Sequence, residues 1–480
     1  ACGGRLGVNA ESLLDPGLVA IRASSNLPRS LLFAGGLAGF VARSLFATNF
    51  WEFGGLEYRD SPPDRPEPAA LETGKNGVVA PEAPAFFDVP LSEDSDKSIT
   101  LRLTRYRRDG AKPLLMLHGL AQGSQIYWMK GISNLAAYCY DAGFDVWLLD
   151  YRLSNLVLPT LSAEDRKWSI DEIARFDIPA AVRKVCEFSG HDKIFVFGHC
   201  VGACALAMAA LRDNDIGARI EAAVTNAIHP WVMPSPSNRL RAKFGNFYRE
   251  WVPEEILEPN PQKGAGGVQN FLDRLAFSLS RINELEKDDH REFGGSELAQ
   301  SICDRMTFLY GRMWNHKNLA AATHEAFAQM LGPAPASVYQ HLYYYSSLRR
   351  ITDKNGENTY LTASNIRDNW QFPILFIHGN DSRVFNPHSA RRSATRLHDI
   401  LNGLPAHGQQ QLQQGERIPV RYKIYPDYGH MDVIFGEQAH QTCFQDYVNF
   451  LRDPRGFSNP QGEADYRESY VARPLIGPIL

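Results

Sequence analysis

Residues 193–211 constrain the fold of this chain more than any other segment. Residues 194–197 form a short apolar run, Gly-His-Cys-Val-Gly follows at 198–202, and an alanine-rich run that favours a helix comes next. Gly198 and Gly202 leave room for a sharp turn between strand and helix, with Cys200 at its tip. Because a helix N-terminus stabilises a thiolate, we expect the pKa of Cys200 to lie below its ordinary value.

Further short apolar runs predict a parallel sheet that is covered on both faces. An alternating segment at 99–106 predicts one half-buried strand, whereas residues 230–369 read as mostly helical. We therefore predict an N-terminal arm with a Pro-rich linker, an α/β core in two parts, a helical cap between those parts, and a C-terminal tail. The corresponding ranges are 1–75 for the arm, 76–229 and 370–455 for the core, 230–369 for the cap, and 456–480 for the tail.

The ends of the predicted strands carry a set of residues suited to acyl transfer. The chain order of Cys200, Asp381 and His430 is nucleophile, acid and base, as this chemistry requires in such a sheet. His430 would accept the thiol proton and Asp381 would hold its tautomer, with Asp427 and Asp432 as the less favoured acids. The backbone N–H groups of the oxyanion hole would come from two residues, Leu120 and Val201.

Two segments outside the turn resemble the acid-lipase branch of the α/β-hydrolase superfamily, namely Asp-Ala-Gly-Phe-Asp-Val-Trp at 141–147 and residues 168–180. The turn and residues 427–436 are similar to hydrolase domains that are fused to, or encoded with, glucose–methanol–choline oxidoreductases resembling cholesterol oxidase. The resemblance covers about 98–450. It implies an α/β-hydrolase fold, in which a mostly parallel twisted sheet is flanked by helices and carries an inserted helical cap.

One departure from the acid lipases concerns the nucleophile, because they have serine where this chain has Cys200. Cysteine occurs in the same turn of dienelactone hydrolases and polyhydroxyalkanoate synthases. We expect an acyl-Cys200 intermediate in the hydrolysis of an ester, lactone or thioester with an apolar part. An acyltransferase or lactone-forming cyclase, and a non-catalytic partner of an oxidoreductase, remain alternatives. Candidate substrate-binding residues are His118, Gly119, His199, Trp231, Trp251, Tyr310 and Trp314.

Composition excludes several other classes of function. A net charge of −4 and the lack of a nucleotide-binding or zinc-finger motif argue against nucleic acid and against a cofactor. The seven cysteines are scattered without a Cys-x-x-Cys pair, so we expect neither a metal site nor a dense disulfide framework, and free thiols favour the cytoplasm. The apolar stretch within 29–53 could associate with a membrane, but packing on the core is favoured.

Overall fold

The structure, a computed structural model, describes most of the sheet and much of the segment inserted into it. The described residues are 65–69, 71–73, 77–80, 83–91, 99–130, 132–162, 166, 168–236, 238–239, 256–257, 293–402 and 417–458. Trp251, the stretch 29–53, most of the predicted arm and nearly all of the predicted tail lie outside these residues.

The core of the fold is an eight-stranded sheet in the order β12-β11-β8-β7-β5-β6-β4-β3. From β6 to β12 all neighbours run parallel, and β4 is antiparallel to both β3 and β6. The strands, with two short pairs outside this sheet, are β1 Leu71–Thr73, β2 Gly77–Ala80, β3 Ala85–Pro90, β4 Thr100–Tyr106, β5 Pro113–Leu117, β6 Asp145–Asp150, β7 Ile194–His199, β8 Ile220–Asn226, β9 Ile256–Leu257, β10 Ala334–Pro335, β11 Ile374–Gly379 and β12 Val420–Tyr425.

Helices cover the sheet and make up much of the described part of the insertion. In chain order they are α1 Gln125–Trp128, α2 Leu135–Asp141, α3 Ile170–Glu172, α4 Ile178–Ser189, α5 Val201–Arg212, α6 Asn214–Ala218, α7 Glu297–Tyr310, α8 Ala321–Glu325, α9 Phe327–Met330, α10 Ala336–Leu348, α11 Ala363–Asn369, α12 His388–Asn402, α13 Asp432–Phe435, α14 Ala439–Thr442 and α15 Phe444–Arg452. Two 3-10 turns, Leu158–Thr160 and His316–Asn318, and one π-helical turn, Ile173–Asp177, complete the set. None of the helices within the described ranges is long and apolar enough to cross a membrane.

The central strands are buried along their whole length. Every residue of β5, β6, β7 and β11 is buried, which explains their continuous apolar runs. The strand expected at 222–224 is longer than its apolar run and covers Ile220–Asn226, because polar Thr225 and Asn226 continue the pairing with β7. The prediction of an α/β-hydrolase fold is confirmed.

The carboxyl ends of the parallel strands gather the residues that the sequence singled out. His118 follows β5, Cys200 follows β7, Asp381 follows β11 and His430 follows β12. Turns at this edge of an open α/β sheet form the crevice in which ligands bind. The chain leaves the sheet after β8 and returns at β11, and the intervening segment contains α7 to α11. The predicted cap lies in this segment.

A fully buried ion pair fixes the helical layer beneath Cys200. Arg152 donates to both carboxylate oxygens of Asp177 over 2.6–3.0 Å, and both side chains are 0% exposed. Asp177 ends the π-helical turn, which packs against α5, the helix that begins after Cys200. The pair therefore links the segment after β6 to the π-helical turn that packs against α5.

Asp177→Ala should lower the free energy of unfolding by about 3–5 kcal/mol, because it leaves the Arg152 guanidinium buried without its carboxylate. Urea denaturation followed by circular dichroism measures this change. Glu187→Ala is the control, since it removes an exposed ion pair with Lys184 and should cost about 0–1 kcal/mol. Equal destabilisation by the two variants would contradict this account of the pair.

Candidate active site

Cys200 lies in a strained turn between β7 and α5. Its backbone has φ 52° and ψ −117°, a conformation that non-glycine residues adopt only where the surrounding structure enforces it. Its N–H donates to Asn226 O over 2.9 Å, and the Gly202 N–H donates to His118 O over 3.1 Å. These two hydrogen bonds hold the turn against the ends of both neighbouring strands.

Three glycines allow the chain segments around Cys200 to approach closely. A Cβ on Gly202 would lie 2.5 Å from His118 O, and one on Gly198 would lie 3.0 Å from Ala203 Cα. A Cβ on Gly119 would come within 2.8 Å of Cys200 Cβ. The predicted roles of Gly198 and Gly202 therefore have a steric basis, and Gly119 also leaves room for Cys200, while its part in substrate binding stays a prediction.

The backbone N–H groups of Leu120 and Val201 both donate hydrogen bonds to the Cys200 thiol. Leu120 follows β5 and Val201 is the first residue of α5, so the two donors converge on the sulfur from separate strand ends. Such a pair of fixed donors is the arrangement that stabilises an oxyanion next to a nucleophile.

The pKa of the Cys200 thiol is raised to about 11, because burial disfavours the thiolate more than the two backbone hydrogen bonds favour it. The sequence prediction of a lowered pKa is therefore wrong. The prediction took account of the helix N-terminus but not of the burial of Cys200, which is only 7% exposed. At neutral pH the sulfur carries its proton, so a nucleophilic role for Cys200 would require a base to remove it.

His430 is the imidazole best suited to act as that base. It is fully buried. One of its ring nitrogens, the Cys200 sulfur and one His199 ring nitrogen all lie within 4.8 Å of one another. Burial, and then the neighbouring histidines, lower the pKa of His430 well below its usual value, so the ring is neutral at pH 7. Neither ring nitrogen has a hydrogen-bond partner among the described residues.

His199 lies beside His430, with ring centroids 5.0 Å apart. Asn226 Nδ2 donates to the His430 carbonyl over 2.8 Å and lies 3.0 Å from His199 Nδ1. Because a carbonyl can only accept, this fixes the orientation of the Asn226 amide, makes His199 Nδ1 an acceptor and leaves the proton on Nε2. Burial lowers the pKa of His199 to about 3. His199 is thus a neutral donor, whereas His430 is available to accept.

Asp381 lies on the loop that packs against the His430 loop, and its N–H donates to Tyr428 O over 2.8 Å. Its carboxylate is bound by Arg312 and Arg383, not by the His430 ring. Burial raises the pKa of Asp381, and the two guanidinium groups oppose that effect. The structure thus brings Cys200 and His430 together, while the predicted acid is paired with arginines.

The Asp432 carboxylate holds the loop that contains His430. It is fully buried and accepts hydrogen bonds from Gly429 N over 2.7 Å and from Asn318 Nδ2 over 2.6 Å. Burial raises its pKa to about 6. These contacts hold the backbone next to His430, without a contact to the imidazole itself.

The predicted substrate-binding residues have mixed surroundings. His118 stacks on Tyr151 at 4.2 Å and is fully buried, and Trp314 packs on Phe327 at 4.2 Å. The Tyr310 hydroxyl is hydrogen-bonded to that of Tyr339. Trp231 is buried near Arg396, with the guanidinium carbon 5.8 Å from its ring. Within the described part of the chain, these rings are thus engaged in packing.

Several residues that matter to this site were missed by the sequence reasoning. Asn226 ends β8 at the same edge as Cys200, which was the one available signal for it. Arg312 and Asn318 belong to the inserted segment, and no local pattern marks them. A second thiol–imidazole cluster, formed by Cys303, His316 and His324, was also missed because its members are far apart in sequence.

The comparisons with known proteins agree with the fold. A family model described as the alpha/beta hydrolase fold matches residues 112–437. The chain belongs to the α/β-hydrolase fold family. This α/β-hydrolase is 36% identical to lipase member M of Mus musculus over 380 residues, covering 75% of this chain and 79% of that protein.

Other relatives of this α/β-hydrolase are lipases by name. Human lipase member M is 23% identical over 372 residues, covering 73% of this chain and 77% of the relative. Gastric triacylglycerol lipase of Mus musculus is 25% identical over 364 residues, covering 72% and 81%. Among solved structures, a soluble variant of the Saccharomyces cerevisiae monoglyceride lipase aligns with a TM-score of 0.43 and 13% identity, covering 79% of this chain and 98% of that one.

Alkylation of Cys200 by iodoacetamide should be slow at pH 7 and accelerate by about tenfold per pH unit up to about pH 11, since only the thiolate reacts. Peptide mass spectrometry at a series of pH values measures the rate at Cys200. A rate that is already maximal at neutral pH would show a resting thiolate and contradict the effect of burial.

Proposed function

We propose that this protein is a lipase- or esterase-like hydrolase that cleaves an apolar ester through an acyl-Cys200 intermediate. The observation that carries the proposal is the convergence on one thiol of two backbone N–H donors, from Leu120 and Val201, and of the neutral imidazole of His430. A thiol with both a base and an oxyanion hole within reach has what acyl transfer needs.

Acylation begins when the Cys200 sulfur attacks the ester carbonyl carbon while its proton passes to His430. The carbonyl π electrons move to the oxygen, and the Leu120 and Val201 N–H groups stabilise that negative charge. The intermediate then collapses, the carbon–oxygen bond to the alcohol breaks, and His430 returns the proton to the departing oxygen. The product is a thioester on Cys200 together with the free alcohol.

Deacylation reuses the same groups. His430 removes a proton from water as the water oxygen attacks the thioester carbonyl, and the oxyanion again forms at the two N–H groups. When the carbon–sulfur bond breaks, the sulfur regains a proton from His430 and the carboxylic acid leaves. Asp381 would orient His430 after its carboxylate turns from the arginines towards the ring; the hydrogen bond from Asp381 N to Tyr428 O keeps the two loops adjacent.

Lipases among the relatives support an apolar ester as the substrate class. The aromatic residues predicted for this role, Trp231, Trp251, Tyr310 and Trp314, remain proposals. An association with an oxidoreductase likewise remains a prediction from the sequence resemblance, and co-purification with such a protein would test it.

Acyl transfer to an alcohol or amine, including an internal hydroxyl to give a lactone, is the second candidate. Burial favours it, because Cys200 is 7% exposed and His430 is 0% exposed, so water has little access to the thioester. Thioesters react readily with both oxygen and nitrogen nucleophiles. Product analysis with added alcohol separates the two: ester formation exceeding free acid would indicate transfer, and free acid alone would indicate hydrolysis.

Incubation with p-nitrophenyl esters of increasing acyl length should produce an acyl adduct on Cys200. Cys200→Ala should abolish both the adduct and the release of p-nitrophenol, because it removes the attacking sulfur. Cys204→Ala is the matched control: that thiol is also buried on the nucleophile helix but donates to Val201 O over 3.2 Å. Intact-mass and peptide analysis measure the adduct. Turnover that persists in Cys200→Ala would exclude the mechanism.

Asp381→Asn should lower kcat by about 10²–10⁴-fold while leaving the fold intact, because a neutral amide cannot stabilise the imidazolium of His430. Stopped-flow or steady-state kinetics with the best p-nitrophenyl ester measure the change. Asp427→Asn serves as the control, since Asp427 is exposed and has φ 59°, a conformation that asparagine tolerates. An unchanged kcat in Asp381→Asn would restrict this carboxylate to its pairing with the arginines.

A further inference from the structure

The inserted segment contains a buried cluster of one thiol and two imidazoles that the proposed mechanism does not use. Cys303 lies on α7, His316 begins the 3-10 turn, and His324 lies on α8. All three side chains are 0% exposed. Their ligand atoms lie within 4.8 Å of one another. Three groups that can each bind a metal ion thus meet in the interior.

The distances match the requirements of a tetrahedral metal ion. The Cys303 sulfur is 3.4 Å from His316 Nε2 and 3.2 Å from His324 Nε2. Bond lengths of about 2.3 Å to sulfur and about 2.0–2.1 Å to nitrogen, at a tetrahedral angle, would place sulfur and nitrogen about 3.5 Å apart. Both observed sulfur–nitrogen distances lie within a few tenths of an ångström of this value.

The chemistry of the donors selects the kind of metal. A thiolate with two imidazoles suits zinc and disfavours magnesium or calcium, which prefer oxygen ligands. The carboxylate of Glu325, the residue after His324, accepts hydrogen bonds from Ser296 N and Ser296 Oγ, each over 2.6 Å.

We propose that Cys303, His316 and His324 bind a zinc ion, with a water in the fourth position. Zinc would join α7, the 3-10 turn and α8 through one ion. The turn also carries Asn318, which donates to Asp432 beneath His430, and the preceding Met313 carbonyl accepts the N–H of His430. The ion would thus stabilise the part of the insertion that supports the proposed catalytic base.

Trp314 provides an optical signal for this binding. Its indole N–H donates to His316 Nε2 over 3.2 Å, so it occupies the lone pair that the metal requires. Metal binding must break this hydrogen bond. Tryptophan fluorescence should therefore change as zinc is added to the full-length, chelator-treated protein, and Trp314→Phe should remove the response while retaining the metal.

Cobalt(II) is the probe that identifies the ligands. One equivalent added to the metal-free protein should give visible tetrahedral d–d bands and a near-ultraviolet thiolate-to-cobalt band. Both should be lost in Cys303→Ser and His324→Ala. Cys200→Ser must keep them, which distinguishes this cluster from the thiol and imidazoles of the proposed active site.

If the variants fail to fold, measurements on the wild-type protein still test the proposed zinc site. Zinc should protect Cys303 from N-ethylmaleimide during partial denaturation. It should leave Cys443, a buried thiol outside the cluster, unprotected. Zinc should also raise Tm. No cobalt spectrum in the wild type, a spectrum lost in Cys200→Ser but kept in Cys303→Ser, or equal protection of Cys303 and Cys443 would overturn the proposal.

Discussion

The hydrogen bond from Gly202 N to His118 O is the constraint on which the rest of the site depends. It draws the start of α5 against the end of β5, an approach that leaves no room for a Cβ at position 202. With the start of α5 against the end of β5, the N–H groups of Leu120 and Val201 face the same sulfur. The strained backbone of Cys200 is maintained by these contacts with its neighbours.

Sequence reasoning succeeded where a feature is local. The run 194–197, the flanking glycines and the alanine-rich helix predicted the turn at Cys200, because each depends on residues adjacent in the chain. It failed for the pKa of Cys200, which depends on burial by distant segments. It also could not foresee that Arg312, from the insertion, binds Asp381, since the partners are 69 positions apart.

The described part of the insertion is in direct contact with the loop of the proposed base. Residues 312–318 contact the His430 loop repeatedly: the Met313 carbonyl accepts from His430 N, and Asn315 and Asn318 donate to Asp427 O. His316, a member of the thiol–imidazole cluster, lies within these same residues. Changes in the insertion should therefore affect the proposed base through the backbone, even where no side chain of the insertion touches the substrate.

The protonated state of the Cys200 thiol has a chemical consequence beyond catalysis. Peroxide oxidises thiolates far faster than thiols, so a sulfur that ionises only when a substrate and base act on it is a poor target for oxidants. A cysteine nucleophile is usually vulnerable in aerobic surroundings. Here the burial that raises the pKa of the Cys200 thiol would preserve it, so that the proposed nucleophile would become reactive only during the proposed turnover.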